Sequence, residues 1–151
     1  MSGATPQQLE ADGWQQLPTS RFSAVIGPTW MRGPKGAREV CLITDDGQAN
    51  DHGAMVHGGA LMTFADIALG VGASDTLDEP YMATVQLQFQ FTAAAPLRSM
   101  LTCRPEVVRK TSQLIFVRGL IQAGDRVVGS ADAMFKVLGS EKLGAIKAKS
   151  E

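Results

Sequence analysis

Charge of one sign, cysteine and histidine are all scarce in this sequence. Fourteen lysines and arginines meet fifteen aspartates and glutamates, for a net charge of -1. There is no basic block, so nucleic acid is not the expected partner. Two cysteines, Cys41 and Cys103, cannot build a disulfide framework in 151 residues. They read as small buried apolar side chains in a reducing compartment. The two histidines, His52 and His57, stand near Asp51 at a spacing that matches no zinc pattern, so no metal is expected. The opening Met-Ser-Gly-Ala-Thr-Pro lacks the basic start and apolar run of a signal peptide. No apolar run reaches the roughly 20 residues that span a bilayer. These absences lead to the expectation of a cytoplasmic protein with no membrane partner. No internal repeat or linker divides the chain. It is expected to form a single domain over 1–151, with its core at about 18–139 and flexible tails on both sides.

What is abundant is concentrated in one stretch, His57 to Ala73, which reads HGGALMTFADIALGVGA. Ala60, Leu61, Met62, Phe64, Ala65, Ile67, Ala68, Leu69 and Val71 cover nearly every side of a helix. A helix apolar all round is normally buried in the middle of a domain. Asp66 interrupts it, with no cation three or four positions away. A carboxylate buried without a partner is costly, so Asp66 must find hydrogen bonds, reach water or do chemistry. Gly58 and Gly59 open the segment although glycine is a poor helix former. The first N–H groups of a helix have no internal acceptor, and its dipole favours negative charge there. Glycine lets another group approach them closely, which makes a donor site for an anion or an oxyanion.

Around this helix the chain alternates. Thr5-Pro6 begins a short helix through Glu10, capped by Thr5. Arg21 to Ile26 reads as a strand that continues, after Gly27-Pro28, into Thr29 to Arg32. Gly33 to Gly36 is a turn, and Glu39 to Thr44 completes a hairpin. Asp45 to Gly53 is a loop. After the helix and a polar connection, Met82 to Thr92 gives the clearest strand signal. Val85, Leu87, Phe89 and Phe91 fall on one face, and Thr84, Gln86, Gln88 and Gln90 on the other. Leu97 to Lys110 is a strand in which Pro105 marks an edge or a bulge. Gln113 to Ala123 and Arg126 to Leu138 form a hairpin about Gly124-Asp125. From Gly139 the tail, rich in lysine and alanine, is expected to be frayed or weakly helical. Short connections favour antiparallel pairing. The expected architecture is α+β: an antiparallel sheet of five to six strands curved around one long central helix.

That order, with Asn50-Asp51-His52-Gly53, His57-Gly58-Gly59 and Asp66, resembles the hotdog-fold acyl-CoA thioesterases of the PaaI-like type. The resemblance spans roughly Glu39 to Leu138. It implies subunits paired edge to edge as a homodimer, often two dimers as a homotetramer, with coenzyme A thioesters as substrates and no cofactor. It implies that Gly58 N–H polarises the thioester carbonyl and that Asp66 activates water or attacks directly. Thr84 matches a position that orients the water. Asn50 matches an upstream asparagine if one residue is inserted before His57; otherwise Asp51 takes that place. Arg109, Lys110 and Thr111 lie where contacts to the coenzyme A tail are expected, and Gly59 belongs with the substrate-binding group.

Elementary chemistry asks for the same parts: a donor for the carbonyl oxygen and a base or nucleophile. Gly58 and Asp66 are eight residues apart, roughly 12 Å along one helix and on different sides of it. A two-fold dimer resolves this by setting Gly58 of one subunit near Asp66 of the other. Each candidate has a plainer reading. For Asp66 it is a hydrogen bond to Thr63 or backbone, for the glycines close packing, and for Thr84 an outward-facing strand position. His57, also a candidate catalytic residue, is as readily a group that fixes its loop. Arg109 and Lys110 read equally as a solvated strand end. Met62, Met82, Met100 and Met134 read as core or as the lining of an acyl tunnel. Two other functions compete with an acyl-CoA thioesterase: a hotdog dehydratase or hydratase pairing His57 with a carboxylate, and a non-catalytic acyl-CoA binding module.

Overall fold

The computed structural model describes residues 4–151. Eight strands form one antiparallel sheet against a single long helix. The first helix, α1 (Pro6–Ala11), starts where expected: the Thr5 hydroxyl accepts from Gln8 N–H, and the Gln8 side chain returns to Thr5 N–H. The strands are β1 (Gln15–Gln16), β2 (Thr29–Arg32), β3 (Glu39–Ile43), β4 (Met82–Phe91), β5 (Met100–Cys103), β6 (Glu106–Lys110), β7 (Leu114–Ala123) and β8 (Arg126–Val137). The central helix is α2 (Gly58–Ser74), and α3 (Ser140–Ser150) closes the chain with no buried residue. The sheet order is β1-β2-β3-β5-β7-β8-β4, with β6 also paired to β7.

The count of eight, against five to six expected, has two sources. Gln15–Gln16 pairs with Trp30 and Met31, a bridge too short to leave a pattern. The expected strand over 97–110 divides at Arg104-Pro105 into β5 and β6, because proline cannot donate to the ladder. The division also makes room for the helix. A Cβ on Gly72 would lie 2.7 Å from Pro105 Cβ, so α2 crosses the kink at glycine contact distance.

The segment 21–26 is not a strand. Arg21–Ala24 forms a 3-10 turn, and Arg21 holds φ at +55°, which no strand residue adopts. The alternation of Phe22 and Ile26 is accidental: Phe22 is 71% exposed and only Ile26 is buried. The N-terminal segment is also not a free tail. Leu9, Trp14, Trp30 and Cys41 form a cluster of their own, and the Arg32 guanidinium lies 4.4 Å over the Trp14 ring.

The helix corrects the all-round reading. Leu61, Phe64, Ala65, Ala68, Leu69, Gly72 and Ala73 are buried, a stripe at spacings of three and four along one side. They pack on Val40, Leu42, Leu101, Ile115, Val117 and Ile121 of the sheet. Met62, Asp66, Ile67, Gly70, Val71 and Ser74 lie off that stripe and stay half-buried. The apolar side of α2 is therefore only partly covered by its own chain. At the C-terminal end of α2, Arg38 pairs with Asp75 at 2.9 Å and Lys110 Nζ donates to Thr76 O at 2.6 Å. Two cations thus meet the negative end of the helix.

Candidate active site

Asp66 leaves the helix on the half-buried side and accepts a 2.7 Å hydrogen bond from the Thr84 hydroxyl. The contact depends on a feature absent from the residue pattern. In strict alternation Thr84 shares the glutamine face and points away from α2. The pairing of β4 with β8 instead shifts between Thr84 and Gln86: Thr84 stands opposite Phe135, Gln86 opposite Met134 and Leu87 opposite Ala133. Val85 is the extra residue of a β-bulge, and it is 53% exposed. Residues directly opposite on an antiparallel pair share a face. The bulge thus turns Met82 and Thr84 to the same side as Leu87 and Phe89, toward the helix. Bulges commonly re-aim a side chain beside a site. The alternative bond between Asp66 and Thr63 does not form, since the Thr63 hydroxyl donates to Gly59 O.

Asp66 and Thr84 line a groove of about 510 Å³. Ile67, Gly70, Val71 and Ser74 continue its helix wall, Met82 and Phe135 form the sheet side, and residues 17–20 with Ser23 form the opposite wall. Of that opposite wall only Ser23 belongs to the segment expected to be a strand; residues 17–20 precede it. Pro18-Thr19-Ser20 was the available signal for a loop there. Sequence reasoning also missed Gly70 and Phe135.

The other candidates gather elsewhere. His57 caps α2: its Nδ1 accepts from Gly59 N–H at 2.8 Å, which puts the proton of a neutral ring on Nε2. Ala60 and Leu61 donate to His57 O, whereas Gly58 N–H has no acceptor among the described residues. It is the free donor of the helix end. The Phe91 ring closes over it, 3.2 Å from where a Gly58 Cβ would stand. Asn50 lies in the loop before this end, and its Oδ1 accepts from Ala54 N–H at 3.0 Å. Asp51 and His52 are exposed on the same loop. Lys110 is engaged at the far end of α2, and the Thr111 hydroxyl caps the turn to Leu114. Arg109 is exposed without a protein partner among the described residues. One protomer therefore joins Asp66 with Thr84, but holds Gly58 about 12 Å away along the helix. Among the described residues, no three His, Cys, Asp or Glu side chains converge as a metal site. None of the described helices is long and apolar enough to cross a membrane.

The sequence profile of the thioesterase superfamily matches residues 53–130, just over half the chain, and takes in Gly58, Asp66 and Thr84. The chain belongs to the thioesterase superfamily. A Pseudomonas aeruginosa protein that carries the provisional name of an esterase, PA0474, is 29% identical over 126 residues, covering 82% of this chain and 94% of that protein. A Streptococcus pneumoniae thioesterase solved with coenzyme A superposes with a TM-score of 0.69 at 24% identity, over 78% of this chain and 93% of that one. The Escherichia coli PaaI protein of the phenylacetic acid degradation operon gives 0.66 at 18% identity, over 74% and 80%. This thioesterase-superfamily chain thus has the PaaI-like hotdog fold: the sheet is the wrap and α2 is the filling.

Proposed function

We propose that this thioesterase hydrolyses acyl-CoA, and that its working unit is a homodimer with two sites at the interface. The observation that carries the reading is the Asp66–Thr84 pair, set in an open groove on the uncovered side of α2. A carboxylate there acts as general base toward water, or as the nucleophile, while Thr84 fixes its orientation. Gly58 N–H, unpaired at a helix N-terminus, supplies the donor for the carbonyl oxygen. His57 fixes that end of the helix, and Asn50 shapes the loop leading to it. The coenzyme A solved with the pneumococcal relative supports the choice of thioester carrier. Arg109 is the cation most available for its phosphates, with Lys110 and Thr111 beside it.

The dimer follows from the free edge of β4. It ends the sheet, and its Val85 and Phe91 are more than half exposed. An uncovered edge of ten residues is a template for another strand. Two copies of β4, antiparallel about Gln88, set Leu87 opposite Phe89 and the bulged Thr84-Val85 opposite Phe91. Because Asp66 bonds to Thr84 and Gly58 underlies Phe91, this register brings the two reacting groups together across the interface. The outward sheet face carries the exposed Val108 and Leu120, a surface on which two dimers pack as a tetramer. A cytoplasmic setting agrees with the two buried free thiols. The dehydratase alternative lacks support, since the acceptor nitrogen of His57 is spent on its own helix.

The test is thiol release from a panel of acyl-CoAs of differing length and aromatic content. Asp66→Ala is expected to lower kcat below detection while the oligomer persists by light scattering. Full activity in that variant overturns the assignment. Saturable acyl-CoA binding without thiol release from the wild type means a binding module instead.

A further inference from the structure

Two glycines of α2, Gly70 and Gly72, stand away from its N-terminus, and they are not equivalent. Both interrupt the second half of the helix. Glycine in a helix interior is unfavourable relative to alanine. Gly72 has a packing reason, as a Cβ there meets Pro105 at 2.7 Å. Gly70 has none: a Cβ there finds Met82 Cε at 3.6 Å and the Phe135 ring at 3.9 Å, ordinary contact distances. The helix gives up stability at Gly70 without gaining closer packing.

What Gly70 leaves open is the groove. It lies one turn past Asp66 on the same side of the helix, about 6 Å along the axis. Beyond Asp66 and Thr84, Gly70 lines the groove on the helix side, beside Met82 and Phe135 of the sheet. Ile67, Val71 and Leu17 add apolar wall, and Ser74 and Pro80 lie at the far end. We infer that Gly70 sets the depth of the acyl-binding groove, admitting acyl chains that extend a helical turn beyond the thioester and selecting them over short ones. This rests on the acyl-CoA reading above. Met82 and Phe135 form the surface against which the chain lies, the thioether of Met82 adapting to its shape.

The experiment compares the wild type with Gly70→Ala and Gly70→Leu, and with Gly72→Ala as a packing control. Thiol release is measured with acetyl-, butyryl-, octanoyl- and decanoyl-CoA. Calorimetry measures the affinity of the matching non-hydrolysable thioether analogues and of free coenzyme A. The ratio of kcat/KM for octanoyl- over acetyl-CoA is expected to fall several-fold in Gly70→Ala and by about tenfold or more in Gly70→Leu, as buried methylenes are displaced. The Tm of Gly70→Ala is expected to rise by a few degrees, since alanine favours the helix and meets no clash. Gly72→Ala is expected to lower Tm and to depress all substrates together. An unchanged chain-length ratio in Gly70→Leu overturns the inference, as does a loss equal for all acyl groups and for free coenzyme A, or dissociation of the oligomer in Gly70→Ala. If the wild type releases no thiol yet the analogues bind with a length preference that Gly70→Leu abolishes, the hydrolase reading fails and the role of Gly70 stands.

Discussion

At the scale of single residues, the hydrogen bond from Thr84 to Asp66 has a direction with consequences. A hydroxyl that donates to a carboxylate holds one of its oxygens in place. The other oxygen is left for a water or a carbonyl carbon. Hydrogen bonds to charged groups contribute about 1.5–3 kcal/mol. Thr84→Val keeps the shape and removes the donor, so kcat is expected to fall by roughly 10- to 100-fold and Tm by a few degrees. Thr84→Ser is expected to recover most of the loss. Steady-state kinetics on both variants checks this; wild-type kcat in Thr84→Val leaves the hydroxyl without a role. Gly58 is the complementary case. Its side chain is a hydrogen atom, and its contribution is a backbone N–H left without an acceptor by the helix end.

At the scale of elements, β4 is where the pattern of residues and the folded strand part company. Its alternation was legible and its existence correctly read, but the face assigned to Thr84 was not. A bulge adds one residue to one strand only, and nothing in Ala83-Thr84-Val85-Gln86 distinguishes it from regular pairing. The proposed role of Thr84 comes from its resemblance to a family position, and the bulge is what turns its hydroxyl to Asp66. The central helix, the Gly124-Asp125 hairpin and the Thr5 cap were legible because each has a local cause; Pro105 was legible as an irregularity, but not as the point where one strand becomes two. The turn at Arg21–Ala24 was not: a left-handed arginine leaves no mark in composition. The covering of α2 was misjudged for another reason. Apolar residues all round a helix state that every side is to be covered, not which chain covers it. The free edge of β4 gives the element its own test. Two strands crossing antiparallel at Gln88 place the two Cα atoms about 4.5–5.5 Å apart, within disulfide reach. Gln88→Cys is expected to cross-link to a covalent dimer under mild oxidation, seen by non-reducing electrophoresis. A monomer band under those conditions counts against the register.

At the scale of the whole molecule, the thiols report on the packing of the sheet. Burial pushes Cys41 and Cys103 each from the ordinary 9.0 up to about 12, with Glu39 adding to the shift at Cys41. Their side chains belong to different clusters on either side of the sheet, so both faces are sampled. In the folded chain the thiols stay protonated to about pH 12; in the unfolded chain they ionise near pH 9. The unfolded state therefore loses protons first as pH rises. The contribution is complete below pH 9 and is lost through pH 12. Melting curves are expected to show a steeper alkaline decline for the wild type than for Cys41→Ala/Cys103→Ala. Parallel declines would mean that the thiols reach solvent in the native state. Both cysteines are also expected to resist alkylation until the sheet opens, because the thiolate is the reactive form.

The sequence holds two tryptophans, and Trp14 and Trp30 are packed together with Leu9 and Cys41. Neither indole lines the groove. Intrinsic fluorescence of this protein is thus a one-sided gauge: it registers detachment of the N-terminal segment from β2 and stays dark to events beside Asp66. An unfolding curve followed by emission and one followed by loss of thiol release need not coincide, and any gap between them measures how independently the two sides of the sheet come apart.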